Sequence, residues 1–234
     1  MILRKEEYLF ELERDSFHRH LAGGIPKGTT MLIEGKHGTG KSAISQRFLY
    51  GFLTHGHSVT YISTELTTKG FVDQMESLDY SVLNYLLTGT LLFIPVFPLI
   101  GKPLPRKDFL TRLVSEPRLF ENDIIIIDAF SSLVRESIDK ESSIKLMGLF
   151  KKLAGKNKTI ILTMDPNELH STILDSFRSV SDIYLTTEST MEEGGLSLRV
   201  IVRRFLNAKG RVGKSVGFRI EPGAGLIVDI TMVA

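Results

Sequence analysis

The chain has 234 residues, 42% hydrophobic and 24% charged, and its 29 Lys and Arg against 27 Asp and Glu leave a formal net charge of +2. That composition argues for a folded soluble protein and against disorder, and so small a charge gives no strong field for nucleic acid or acidic lipid. Cysteine is absent, which excludes disulfides and thiolate metal sites, and the charged opening MILRKEEYLFELERD does not read as a signal peptide, so a cytoplasmic location is expected.

The length suits one domain over residues 1–234, since no linker, repeat or low-complexity tract divides it. The longest apolar stretch, Leu91 to Ile100, is interrupted by Pro95 and Pro98 and is too short to span a bilayer. Thr30 to Glu34 is an apolar run ending in a glycine loop, and over Lys41 to Leu53 the residues Ile44, Phe48, Leu49 and Phe52 recur at helical spacing. Ser58 to Ser63 reads as a strand and Lys69 to Leu78 as a helix, followed by a strand at Leu91 to Ile94, a proline-rich loop to Pro105 and a helix over Asp108 to Val114. Asp123 to Asp128 (DIIIID) lacks polar alternation, as expected of a strand covered on both faces. A helix at Ser142 to Leu153, a strand at Thr159 to Thr163 and a helix over Glu168 to Val180 continue the alternation. Ile183 to Thr187, Leu196 to Phe205, Ser215 to Ile220 and Leu226 to Ile230 are strands separated by glycine-containing turns. The pattern predicts an α/β fold with a mostly parallel central sheet flanked by helices and antiparallel strands at the C-terminus.

Gly35-Lys36-His37-Gly38-Thr39-Gly40-Lys41-Ser42 fits G-x-x-x-x-G-K-[ST] and falls between a predicted strand and a predicted helix, as that motif requires. The glycines let the backbone turn its N–H groups on a phosphate chain, Lys41 reaches the β and γ oxygens, and the Ser42 hydroxyl can ligate Mg²⁺. ATP and Mg²⁺ are the expected ligands. Asp128 ends the isoleucine run at the edge where open α/β sheets bind ligands, so it reads as the Walker B partner of Ser42 at the metal, or else as a helix N-cap. Glu65 closes the second strand and reads either as the base that polarises a water or as a solvated strand-end acid. Thr163 and Asp165 are candidates for contact with the γ-phosphate, although polar residues at strand ends are ordinary.

Arg203 and Arg204 interrupt the apolar strand LSLRVIVRRF; neighbours in a strand of period two face opposite ways, so one could reach a nucleotide on an adjacent subunit. An edge-strand charge that blocks aggregation is the competing account. His18 with His20, and His55 with His57, have metal-pair spacing but no accompanying acidic cluster, so they read as solvated histidines and no metal is assigned to them. The basic loop Lys209 to Lys214 reads as an exposed hairpin turn rather than a binder of phosphate backbones.

The block Leu21 to Gly28, the glycine loop, Tyr61-Ile62-Ser63-Thr64-Glu65 and IIIID resemble the RecA-like P-loop ATPases of the KaiC group. Within it, EGKHGTGKS, STELTT, QMESLDY and the length of a single RecA domain most resemble the accessory ATP-binding proteins of the archaeal flagellum, the archaellum. The resemblance implies a RecA-type core, a hexameric ring, and a place peripheral to the membrane in the motor complex. It also implies the motor ATPase FlaI, the platform protein FlaJ and the scaffold FlaX as partners, with no nucleic acid. The KaiC group usually carries two adjacent glutamates after the second strand, whereas here Glu65 is followed by Leu66. A nucleotide-dependent regulator with weak or absent hydrolysis is the expected function. A RecA-like ATPase acting on DNA and a KaiC-like autokinase are the competing ones, and the Pro95 to Pro105 loop is the candidate partner surface.

Overall fold

The computed structural model describes residues 6–96, 109–192 and 195–229. A short hairpin, β1 (Glu7–Leu9) with β2 (Gly24–Pro26), encloses the helical turn α1 (Phe17–His20). There follow β3 (Thr30–Gly35), α2 (Lys41–Thr54), β4 (Val59–Ser63), α3 (Thr68–Ser77), α4 (Leu83–Thr88) and β5 (Leu91–Pro95). After α5 (Phe109–Ser115) come β6 (Ile124–Asp128), α6 (Phe130–Val134), α7 (Lys140–Gly155), β7 (Thr159–Met164) and α8 (Ser171–Val180). The chain ends in β8 (Ile183–Glu192), β9 (Gly195–Phe205), β10 (Ser215–Glu221) and β11 (Gly225–Asp229). Most of the proline-rich partner-surface candidate, from residue 97 onward, lies outside the described residues, as does the predicted helix start at Asp108. Among the described residues no helix is long and apolar enough to cross a membrane.

Nine strands form one sheet in the order β11-β10-β9-β8-β3-β7-β6-β4-β5. The strands from β8 to β5 in that order are parallel, and β9, β10 and β11 add antiparallel to them. Because β7 and β6 lie between β3 and β4, the connection through α2 crosses two strands and leaves a crevice at the C-terminal edge of β3. The isoleucine run occupies β6, flanked by parallel strands and buried on both faces: Ile124 and Ile126 pack on the side of α2, Ile125 and Ile127 on the side of α6, α7 and α8. β3 divides likewise, Met31 and Ile33 on one side and Leu32 on the other. A run without polar alternation is thus the pattern of period two written onto two apolar layers.

The helix starts follow local chemistry. Thr67 caps α3 by accepting from Gly70 N, and Asp139 with Ser142 forms a reciprocal capping box at α7. In contrast, α2 has Gly40 in the left-handed region at its N-cap, no side-chain cap and no acid in its first turn, so its N–H groups are left for something else. β1, β2, α1, α4 and α6 are not anticipated by the sequence pattern, since each is too short to show a period.

The histidines depart in part from expectation: His18 is buried, whereas His20, His55 and His57 are half-buried. His18 is buried with its Nε2 3.2 Å from Glu11 Oε1, and His57 packs edge-on against Tyr8 at 4.9 Å with its Nε2 buried and unpartnered. Burial pulls His18, His20 and His57 below the ordinary histidine value, against the carboxylates of Glu11 and Asp15 at His18 and of Asp123 at His57. Protonation therefore favours the unfolded chain. The stability these neutral rings contribute is present above the unfolded value, about 6.5, and is lost as pH falls through it towards the lower folded values. Denaturant midpoints should fall between about pH 7.5 and about pH 5.5, and His57→Phe, which keeps the ring contact, should lessen that fall; an unchanged slope in the variant would refute the assignment to His57. No group of three metal-ligating side chains occurs among the described residues.

The basic loop joins the antiparallel strands β9 and β10 with Lys209, Gly210, Arg211 and Lys214 exposed, and its backbone is anchored. Ala22 N donates to Arg211 O, Gly213 N donates to His20 O, and Lys209 Nζ lies 3.6 Å from Glu7 Oε2. A Cβ at Gly210 would fall 2.5 Å from the Ala22 carbonyl oxygen, so glycine is needed for this approach.

Candidate functional site

The glycine loop leaves the C-terminal end of β3 and runs directly into α2. Gly38 and Gly40 take positive φ, and a Cβ on Gly40 would also meet the Phe218 ring at 2.8 Å. Gly35 is closed off differently: a Cβ there would lie 1.9 Å from Thr187 Oγ1, and that hydroxyl is 2.6 Å from Thr39 Oγ1. Glycine at these positions lets β8, β9 and β10 press against the loop from behind.

A cleft of about 360 Å³ opens in front of the loop, lined on one side by His37, Gly38, Lys41 and Ser42 and on the other by Glu65, Asp165 and Glu168. Lys41 is 9% exposed and its Nζ donates to the Lys36 carbonyl at 2.7 Å. Burial pulls its ammonium below the ordinary lysine value, while the carboxylates of Asp165, Asp128, Glu65 and Glu168 act the other way. A buried cation resting on a carbonyl beside an uncapped helix start is a setting for an anion.

Asp128 is 5% exposed and accepts from four hydroxyls. Ser42 Oγ at 3.2 Å and Thr163 Oγ1 at 2.6 Å donate to its Oδ1; Tyr61 OH at 2.8 Å and Ser45 Oγ at 3.3 Å donate to its Oδ2. The alternative that Asp128 serves as an N-cap fails, since the cap position of α6 is Ala129 and carries no side-chain cap. Burial and the Asp128 charge raise the Tyr61 phenol well above its ordinary value, so it keeps its proton and donates. Hard oxygens of Ser42 and Asp128 side by side next to a phosphate-binding loop fit Mg²⁺, with Ser42 as the direct ligand and Asp128 holding the ion or its water.

Glu65 lies on the rim of this cleft, exposed, and its carboxylate has no hydrogen-bond or ionic partner among the described residues. Asp165 also faces the cleft, its N–H donating to Ser131 Oγ, whereas Thr163 is wholly buried beneath Asp128. Glu168, which sequence reasoning overlooked, accepts from Ser131 at 2.6 Å and Ser132 at 2.7 Å and pairs with Arg135 at 3.5 Å. The sequence pattern starts a helix at Glu168, but α8 begins at Ser171 and Glu168 lies in the turn before it, where nothing in the pattern singles it out. Tyr61 and Ser45 were legible in part: a tyrosine in a buried strand needs a hydroxyl partner, and Ser45 is one helical turn from Ser42.

The two arginines lie outside this cleft and do not face opposite ways as the strand period predicts. β9 bulges at Arg203, with Arg204 opposite Tyr184 and Val202 opposite Leu185, and the extra residue puts both side chains on the face of Tyr184. Arg203 Nε donates to Thr186 Oγ1 at 3.0 Å on the wall of a second cleft of about 690 Å³ behind the loop, which Glu34, Lys36 and His37 also line. Arg204 Nη1 donates to the carbonyls of Arg178, Ser179 and Ser181 at the end of α8.

A parallel sheet with a glycine loop at the edge of β3, feeding an uncapped helix beside a buried strand-end aspartate, defines a RecA-like P-loop ATPase fold. The family model described as "ATPase: KaiC" matches residues 15–228. The archaeal flagellar ATP-binding protein FlaH of Methanocaldococcus jannaschii is 38% identical over 224 residues, 96% of each chain, and that of Methanococcus voltae is 38% identical over 96% of this chain and 97% of its own. The crystal structure of the flagellar accessory protein FlaH from M. jannaschii superposes with a TM-score of 0.91 over 96% of this chain and 100% of that one. A KaiC-like protein from Pyrococcus horikoshii, 19% identical, shares the fold with a TM-score of 0.74 over 96% of this chain and 99% of its own. The chain belongs to the KaiC family of ATPases and, within it, to the FlaH proteins. Nucleotide binding follows from that membership.

Proposed function

We propose that this chain is an ATP-binding regulatory component of the archaellum motor complex. Occupancy by ATP and Mg²⁺ governs its assembly and its binding to the motor ATPase FlaI, with weak or absent hydrolysis. The relatives' name, archaeal flagellar ATP-binding protein, supports the setting and the nucleotide. One contrast carries the rest: Lys41, Ser42 and Asp128 converge on a phosphate and metal site, whereas Glu65 is exposed and its carboxylate is held by nothing among the described residues. A general base works best when its carboxylate is held within hydrogen-bond reach of its water, and no described side chain holds that of Glu65.

Of the two arginines, Arg203 is the one left to reach a nucleotide on a neighbouring subunit of a hexameric ring, since Arg204 is committed to the end of α8. Docking to FlaJ and FlaX at the cytoplasmic side of the membrane completes the reading. Titrating FlaI against the protein with and without ATP tests it: tighter binding with ATP is expected, and equal affinity refutes the regulatory role. Phosphate release by the chain alone should stay well below about one turnover per second, the lower end of the usual enzyme range.

One observation favours a second reading, self-phosphorylation. The Ser132 hydroxyl lines the cleft and donates to Glu168 at 2.7 Å, so that carboxylate is placed to take its proton while the serine oxygen attacks the γ-phosphorus and ADP leaves. Mass spectrometry after incubation with ATP decides it. Phosphate on Ser132 supports this reading and unmodified protein rejects it.

A further inference from the structure

The four hydroxyls around Asp128 are not equivalent. Those on Oδ1 are Ser42, at the mouth of the cleft, and Thr163 beneath it; those on Oδ2 are Tyr61 and Ser45, which also bond each other at 2.9 Å. The Tyr61 ring belongs to an aromatic layer, 5.4 Å from Phe71 and 6.1 Å from Phe93, with those two stacked at 4.1 Å. A phenylalanine would fill that layer equally well and bring no polar atom into it. The hydroxyl carries a desolvation cost in such a place unless it is bonded, and its partners are Ser45 and Asp128.

A carboxylate turns easily about its terminal bond, which has only a broad, roughly twofold preference. Fixing Oδ2 from below therefore fixes where Oδ1 points. We propose that Tyr61 is a positioning residue for the metal carboxylate: its hydroxyl, backed by Ser45, holds Oδ2 of Asp128 so that Oδ1 stands beside Ser42 Oγ, ready for Mg²⁺. Partners one step removed from a metal orient its ligands in this way. The inference rests on the reading of the cleft as a site for ATP and Mg²⁺.

Calorimetric titration of the full chain with ATP, repeated from excess chelator to excess Mg²⁺, tests it with Tyr61→Phe, which removes one oxygen and leaves the ring. The Mg²⁺ concentration giving half of the metal-dependent gain in ATP affinity should rise about tenfold to a hundredfold, with the affinity in chelator unchanged. A matching loss in chelator would mean that the hydroxyl acts only through the fold, and no shift would mean that it does not orient Asp128; either overturns the proposal while leaving the ATP site standing. Wild-type protein that binds no ATP would remove the underlying reading, and this inference with it. Should Tyr61→Phe prove unstable, Ser45→Ala, which removes the hydroxyl that backs Tyr61 at 2.9 Å and lies 3.3 Å from Oδ2, must show a smaller shift in the same direction, and its absence is decisive against the clamp.

Discussion

Lys41→Ala should weaken ATP binding by roughly 30-fold to several thousand-fold, the equivalent of about 2–5 kcal/mol for truncating one partner of a buried, hydrogen-bonded charge pair. The ammonium is 9% exposed, lies at the start of an uncapped helix and has a neutral carbonyl as its hydrogen-bond acceptor. Its desolvation is therefore incompletely offset until an anion arrives. Removing it also takes the lysine charge from between the triphosphate and the carboxylates of Asp128, Glu65, Asp165 and Glu168. Calorimetry with ATP in Mg²⁺ measures the loss, and an affinity within a few-fold of wild type would refute the placement of the phosphates at Lys41. The fold should survive the change, because the Lys41 side chain bonds its own loop rather than the core.

Arg47→Met should cost about 3–5 kcal/mol of stability, a large share of the 5–15 kcal/mol typical of a folded domain. The side chains of Arg47 and Asp15 are both 0% exposed and joined by two bonds, Nε to Oδ2 at 2.6 Å and Nη2 to Oδ1 at 2.8 Å. Nη1 donates to the Phe10 carbonyl at 2.8 Å, and the guanidinium lies 5.7 Å from the Phe10 ring and 5.9 Å from that of Phe17. Taking the arginine away strands a buried carboxylate, left with the Phe17 N–H at 3.0 Å as its donor. The penalty comes from that stranded charge more than from the lost attraction, so Asp15→Leu combined with Arg47→Met should recover most of it. Denaturant midpoints of the two variants make the comparison, and equal losses in both would show that packing rather than charge sets the cost. The consequence reaches the site, because Arg47 is on α2 and this pair clamps the N-terminal segment against the helix that carries Lys41 and Ser42.

Local chemistry was written plainly in the chain. A phosphate loop needs glycines, a lysine and a hydroxyl at fixed spacing, and a strand buried on both faces needs an unbroken apolar run, so Gly35 to Ser42 and Asp128 could be picked out by eye. The alternation of strands and helices placed Glu65 at the end of β4, on the same sheet edge as Asp128, Ser63 and Asp128 being partners in register. For the arginines the same rule of period two misled, because one extra residue in β9 turned both to a single face. Nor could spacing reveal that the histidines near residues 18 and 57 are covered, since their cover comes from β1 and its neighbourhood, which carry no periodic signal.

The sequence by itself determined the phosphate loop, the aspartate opposite it and the layered α/β plan, because each depends on residues adjacent in the chain or repeating at a fixed period. Only the tertiary structure decided what surrounds Asp128, which arginine is already spent, and that Arg47 closes on Asp15. Those contacts join residues 23 to 86 positions apart, or set one strand's register against another. They follow from the order β3-β7-β6-β4 and from the packing of α2 beneath it, and strand order is fixed by which faces fit together in space, a property that no single stretch of chain carries.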